Sequence, residues 1–175
     1  LERNNVGDLG AASLADALAQ QQNQTLTSLV LWENKIGDLG AAKLAEALHT
    51  NTSLASLYLG SNYVGADGAE ALAKALGEKH NSTLATLDLA NGYCGDLGAA
   101  SLADALKQNT TLTHLSLQNN LIGDDGAANL ADALEQSSAT LISLHLEDNY
   151  IRSKHLKRKI AALLAQRHDD APATN

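Results

Sequence analysis

The stretch Leu26–Leu48 reads Leu-x-x-Leu-x-Leu-x-x-Asn-x-Ile-Gly-Asp-x-Gly-Ala-x-x-Leu-Ala-x-Ala-Leu, and nearly all the rest of the chain copies it. Anchored on Leu31, the copies fall at Leu1, Leu59, Leu89, Leu117 and Leu146, at intervals of 30, 28, 30, 28 and 29 residues. A fixed period in this range specifies a stack of like units before any local structure is assigned. One unit cannot bury its own apolar face, so each needs a neighbour.

Within a unit the apolar period changes from two to 3.6. Leu29 and Leu31 sit two apart, the strand period, and point to the core while Ser28, Val30 and Trp32 point the other way. Asn34 ends the strand, where its amide can bond the local backbone. Asp38 stands where a carboxylate would cap the helix that follows. In that helix Ala41, Leu44, Ala45 and Leu48 recur at i, i+3, i+4 and i+7, one apolar stripe against the strands, with Lys43 and Glu46 facing water. A buried leucine contributes roughly 1.5–3 kcal/mol while ordering a residue costs about 1–2 kcal/mol, so single units are unstable and the array cooperative.

These residues resemble the leucine-rich repeat, in the long, helix-containing subtype of ribonuclease inhibitor. That subtype also occurs in Ran GTPase-activating proteins and in the sensor regions of NOD-like receptors. The wording Ile-Gly-Asp-x-Gly-Ala…Leu-Ala-x-Ala-Leu is most similar to the NOD-like receptor version. The resemblance implies an α/β fold: a right-handed β-α solenoid, or horseshoe, of about six repeats of 28–30 residues. Parallel strands line its concave face and helices its convex face. It also implies a non-enzymatic protein-interaction module, with a Ran-directed GTPase activator or a ribonuclease-inhibitor-like inhibitor as alternatives. No activating residue of the former can be matched here, and the latter family is rich in cysteine while this chain has Cys94 alone.

The solenoid is expected to span residues 1–164. A truncated first repeat, 1–24, starts at Leu1 in mid-strand, which suggests a piece of a longer chain. The third unit has Ala66 where Asp38 stands and Asp67 one place later, so its helix cap is expected one position off. The fourth has Gly92 where asparagine is due, which predicts a gap in the asparagine ladder. From 141 to 164 the repeat diverges into Arg152-Ser153-Lys154-His155-Leu156-Lys157-Arg158-Lys159-Ile160, read as a capping helix with a solvated basic face. The polar tail 165–175 is expected to be disordered. Repeat-length variation sits in the returns from helix to strand.

Charge is unevenly spread. Residues 1–150 carry six Lys/Arg against 18 Asp/Glu, and 151–175 carry six against two. An acidic solenoid repels phosphate backbones, which argues against nucleic acid. No apolar run approaches the roughly 18 residues of a membrane span. The lone Cys94 allows no intrachain disulfide and fits a reducing, cytoplasmic setting; at the Ile36 position of its unit it reads as core. The triplets at Asn23, Asn51, Asn81 and Asn109 have the form of glycosylation acceptors, but a better cause is architecture, with asparagine in a left-handed conformation closing each helix. No catalytic motif and no cofactor-binding motif is present.

The candidate binding residues are those that escape the core pattern. The five aromatics avoid every leucine and alanine position. Trp32 and Tyr58 are outward strand positions. Tyr63, Tyr93 and Tyr150 follow the asparagine position and, with Leu121, form a stripe along one rim. Glu33, Asp88, His114, His145 and Glu147 complete the concave face, whose acidic balance suits a basic protein partner. His114, His145 and Glu147 lack the spacing of a zinc site, and no metal is assigned to them.

Overall fold

A computed structural model describes residues 1–20, 23–77, 83–136 and 140–170, with side chains as far as Arg167. Helices and strands alternate in the order α1 (Asp8–Ala19), β1 (Ser28–Val30), α2 (Asp38–Leu48), β2 (Ser56–Tyr58), α3 (Ala66–Gly77), β3 (Thr86–Asp88), α4 (Gly95–Leu106), β4 (His114–Ser116), α5 (Asp124–Gln136), β5 (Ser143–His145) and α6 (Lys154–Asp170). The five strands form one parallel sheet in sequence order. Leu29, Leu57, Leu87, Leu115 and Leu144 lie in register across it. The chain therefore folds as a β-α solenoid, with helices layered on one side of the sheet.

The strands are only three residues long, so Leu31, Leu59, Leu89 and Leu117 lie just beyond them. The inter-unit ladder nevertheless continues: Leu31 N–H donates to Tyr58 O (2.9 Å) and Glu33 N–H to Gly60 O (3.0 Å), and the later units repeat both bonds. The first unit forms no named strand, against the expectation at Leu1; Arg3 N–H to Trp32 O (2.9 Å) and a bridge between Gly7 and Lys35 join it to the second. One continuous core holds the leucines of both layers together with Ala41, Ala69, Ala99 and Ala127, each 0% exposed.

Three expectations need correcting. Asp38 does not cap its own helix: its Oδ1 accepts from Gly65 and Gly68 N–H (2.7 and 2.9 Å), the start of the next helix. Asp8 does the same for Gly37 and Gly40, and Asp96 for Gly123 and Gly126. The helix of the third unit is thus capped by its predecessor; the one lacking such a carboxylate is α4, because Ala66 precedes it. Asn23, Asn51 and Asn109, which close helices, are not left-handed. Asn51, buried, accepts from Ser53 and Leu54 N–H and donates to Leu18 O, and Asn109 bonds in the same way. Local turn plus neighbour contact, rather than backbone handedness, is why asparagine is needed. Among the described residues, those at the strand exit of each unit are left-handed, Arg3, Glu33, Ser61, Asn91, Asn119 and Asp148, and so are Gly95 and Leu121. Lastly, α6 runs to Asp170, past the solenoid end expected at 164. Asn81, residues 171–175 and part of the variable returns lie outside the described residues.

The asparagine ladder behaves as the repeat suggests. Asn62 Oδ1 accepts from Ile36 N–H (3.0 Å) while its Nδ2 donates to Leu31 O (2.8 Å) and Leu59 O (2.9 Å). Asn34, Asn120 and Asn149 make equivalent bonds. At Gly92 the rung is missing, and Val64 N–H, which would donate to it, has no hydrogen bond among the described residues.

Candidate binding surface

The strand register places the candidates on the sheet face turned away from the helices. Val30, Tyr58, Asp88, Ser116 and His145 form one row; Ser28, Ser56, Thr86, His114 and Ser143 form the next. Trp32 continues the first strand and is half-buried, with its indole folded sideways onto the following unit. A Cβ at residue 60 would stand 1.9 Å from the indole Nε1, so Gly60 is what lets the ring lie flat there. Trp32 and Tyr58, with Glu2, Val30 and Asp88, wall a hollow of about 240 Å³. The structure thus brings Trp32, Tyr58 and Asp88 together. Their apolar area is partly spent on each other and on the sheet.

The acidic residues divide by partner. Glu33 binds Arg3 through Nε (2.9 Å) at an exposed site. That contact raises the guanidinium pKa, the hydrogen bond to Glu33 first and that carboxylate's charge second. Asp88 accepts from Ala90 N–H (2.8 Å). Glu147 lies 3.6 Å from His145 Nδ1, while His145 Nε2 contacts Ser143 Oγ (3.0 Å). His114 is in register with Ser143, not with His145, and its Nδ1 contacts Thr113 Oγ1 (2.8 Å). The two histidines are therefore offset along neighbouring strands, each held by a hydroxyl of its own strand, and among the described residues no group of three potential ligands converges.

The rim is a separate surface. Tyr63, Tyr93 and Tyr150 are 57%, 56% and 65% exposed. Each is aimed by its own backbone N–H, which donates to Ile36 O, Val64 O and Ile122 O (2.7–2.9 Å). The rings of Tyr63 and Tyr93 stack with centroids 6.4 Å apart and planes 21° from parallel. Leu121 shares the stripe but not the geometry: it is left-handed, φ +62. Where other units offer a carboxylate, Ala66 has none, and Gly95 N–H donates to the carbonyl of Asn120 (2.9 Å), the residue before Leu121.

Sequence reasoning passed over Leu9, Leu39 and Leu97, which are 87%, 74% and 77% exposed and each follow the aspartate in the first turn of their helix. The signal was available: each lies off the i, i+3, i+4, i+7 stripe, and the copies at that position are Asp67 and Asp125.

The family described as Leucine Rich repeat matches residues 22–45, 50–73 and 108–131, leaving out the first and last units and the one that carries Gly92. The chain therefore carries leucine-rich repeats. A search of curated protein sequences returns no match. Among solved structures, actin-binding site 2 of leiomodin-1 is similar at 22% identity over 90% of this chain and 89% of that one, with a TM-score of 0.78. The tropomodulin C-terminal domain of Caenorhabditis elegans matches at 11% identity over 91% and 94%, with a TM-score of 0.74. An internalin of Listeria monocytogenes matches at 20% identity over 86% of this chain but 35% of its own length, with a TM-score of 0.54. Likeness at these identities is one of fold. Among the described residues no helix is long and apolar enough to cross a membrane.

Proposed function

We propose that this chain is a non-enzymatic protein-recognition module that grips its partner with the open sheet face and the tyrosine rim. The observation that carries the reading is the stacked, more than half-exposed pair Tyr63 and Tyr93 on the rim. Exposed apolar clusters of this kind mark contact sites, and tyrosine and tryptophan dominate interface energetics. Trp32, Tyr58, Leu121 and Tyr150 extend the surface on either side. Glu33, Asp88, Glu147 and Asp148 bias it toward a basic partner, and the lone Cys94 fits a reducing, cytoplasmic setting. Repeats of 28–30 residues with a full helix support the ribonuclease-inhibitor-like subtype, with the NOD-like receptor arrays as its nearest wording.

The name of the leiomodin-1 site supplies a first defined probe, monomeric actin. The test is to measure the intact solenoid and a Tyr63→Ala/Tyr93→Ala variant against actin, and against proteins captured by the wild type. Loss of about 2–4 kcal/mol of binding is expected, with thermal unfolding shifted by no more than about 0.5 kcal/mol. Matching losses in binding and folding would assign the two rings to architecture. Stimulated GTP hydrolysis by small GTPases on addition of the protein would replace this reading with the enzyme-activating one.

A further inference from the structure

The last strand, β5, ends the sheet in an unused ladder. In the second to fifth units two backbone donors at the strand exit bond the next unit: Leu117 N–H to His145 O and Asn119 N–H to Glu147 O, both 2.9 Å, are the final pair. The corresponding groups on β5 are Leu146 and Asp148 N–H, and neither makes a hydrogen bond among the described residues. A sheet edge of this kind is normally covered or blunted, because it templates pairing with another chain. Here α6 does not cover it. Between the edge and the helix runs a groove of about 300 Å³, walled by Leu144, Leu146, Ile151, Ile160 and Leu164, with Lys157 on its lip.

The charge of α6 points the same way. The repeat places an aspartate at the start of the helix, and this unit places Ser153, whose Oγ caps its own helix by accepting from Leu156 N–H (3.2 Å). The carboxylate that Asp8, Asp38, Asp96 and Asp124 offer to the following unit has no counterpart here. The first turn of α6 holds no acid, though cations near a helix N-terminus are unfavourable. Lys154 and Lys157 share a helix face with Ala161 and Leu164, are exposed, and pair with nothing among the described residues. Lys159, by contrast, is held by Asp132 and Glu135 of α5 (3.2 and 3.0 Å). The acids on the opposite lip are engaged within the chain, Asp148 by Gln118 (3.0 Å) and Glu147 beside His145.

We propose that the open edge of β5 takes up an extended segment of a partner protein, parallel to β5. Its apolar side chain fills the groove and its acidic residues face Lys154 and Lys157. Four in-register strand pairs already make this contact within the chain, and the partner's backbone supplies the acceptors that Leu146 and Asp148 N–H lack. The site is separate from the tyrosine rim, so the two readings stand or fall independently.

The test uses a fluorescein-labelled eight-residue peptide alternating aspartate with valine, and a control with lysine for aspartate. The wild type is expected to bind the first and not the second. Ala161→Phe, which fills the groove from an exposed helix position, weakens binding at least tenfold. Lys154→Glu/Lys157→Glu does the same while the acids suit the helix terminus. Tyr63→Ala/Tyr93→Ala leaves peptide affinity unchanged. On binding, amide exchange at Leu146 and Asp148 slows at least tenfold. The proposal is overturned if the wild type binds neither peptide, or if Ala161→Phe with unaltered helicity binds as tightly. It is equally overturned if binding leaves the two amides exchanging at their free rate. Amides already protected in the free protein would show the edge occupied by this chain's own last residues or a second copy, and would overturn it too.

Discussion

The seam between the second and third units and the seam between the third and fourth join the same kinds of surface with different hardware. At the first, Asp38 caps α3 and Asn62 ties Ile36 N–H to Leu31 and Leu59 carbonyls. At the second both devices are absent, because Ala66 stands for the aspartate and Gly92 for the asparagine. The two substitutions lie far apart in sequence but on one interface. Around that seam Val64 N–H has no partner among the described residues and α4 starts at a left-handed Gly95, while Leu121 in the next unit has φ +62. The leucines and alanines across that seam stay buried all the same. Apolar burial is thus sufficient to stack the units, and the polar ladders set how firmly each pair is coupled.

The largest test of this contrast is to impose the weak seam on the strong one. Asn62→Ala strips one buried N–H and two carbonyls of their partner, and is expected to cost about 2–3 kcal/mol in chemical denaturation. A cost below about 0.5 kcal/mol would mean that the ladder is ornamental. A second test uses Cys94, which packs at the weaker seam. Burial pushes its thiol up to about 12 from an ordinary 9.0. The unfolded chain then holds fewer protons than the folded one above pH 9. Stability is accordingly whole below about pH 9 and falls as pH climbs toward 12, by up to about 1.4 kcal/mol per unit. Unfolding midpoints of wild type and Cys94→Ala, compared at pH 8 and pH 10, check it. The smallest effect comes from repair. Ala66→Asp/Gly92→Asn is expected to gain about 1 kcal/mol by restoring both devices. The gain is held down by crowding, since a Cβ at residue 92 would lie 2.8 Å from Asn120 Oδ1 until that side chain gives way.

Several features were readable from the repeat itself. The period exposed the stack, the switch from two to 3.6 placed Leu29 and Leu44 in the core, and Gly92 marked the missing rung. Tyr63, Tyr93 and Tyr150 declared themselves by standing off every core position. Less was readable where a side chain acts on a neighbouring unit. Asp38 looks like a cap for the helix it begins, and only the stack shows that it serves the next. Trp32 looks free on a strand, yet its ring rests on Gly60 in the adjacent unit. The exposed Leu39 and Leu97 passed unnoticed because a leucine beside an apolar stripe reads as part of it.

The sequence alone determined that this chain stacks, in which order, and which side chains form the glue, because periodic apolar burial is a local property copied unit by unit. Tertiary structure alone decided which unit each polar group serves, where Leu121 turns left-handed, and which sheet edge is unpaired among the described residues. Those outcomes depend on hydrogen bonds about 30 residues apart along the chain, and a directional bond exists only once both of its ends have been placed.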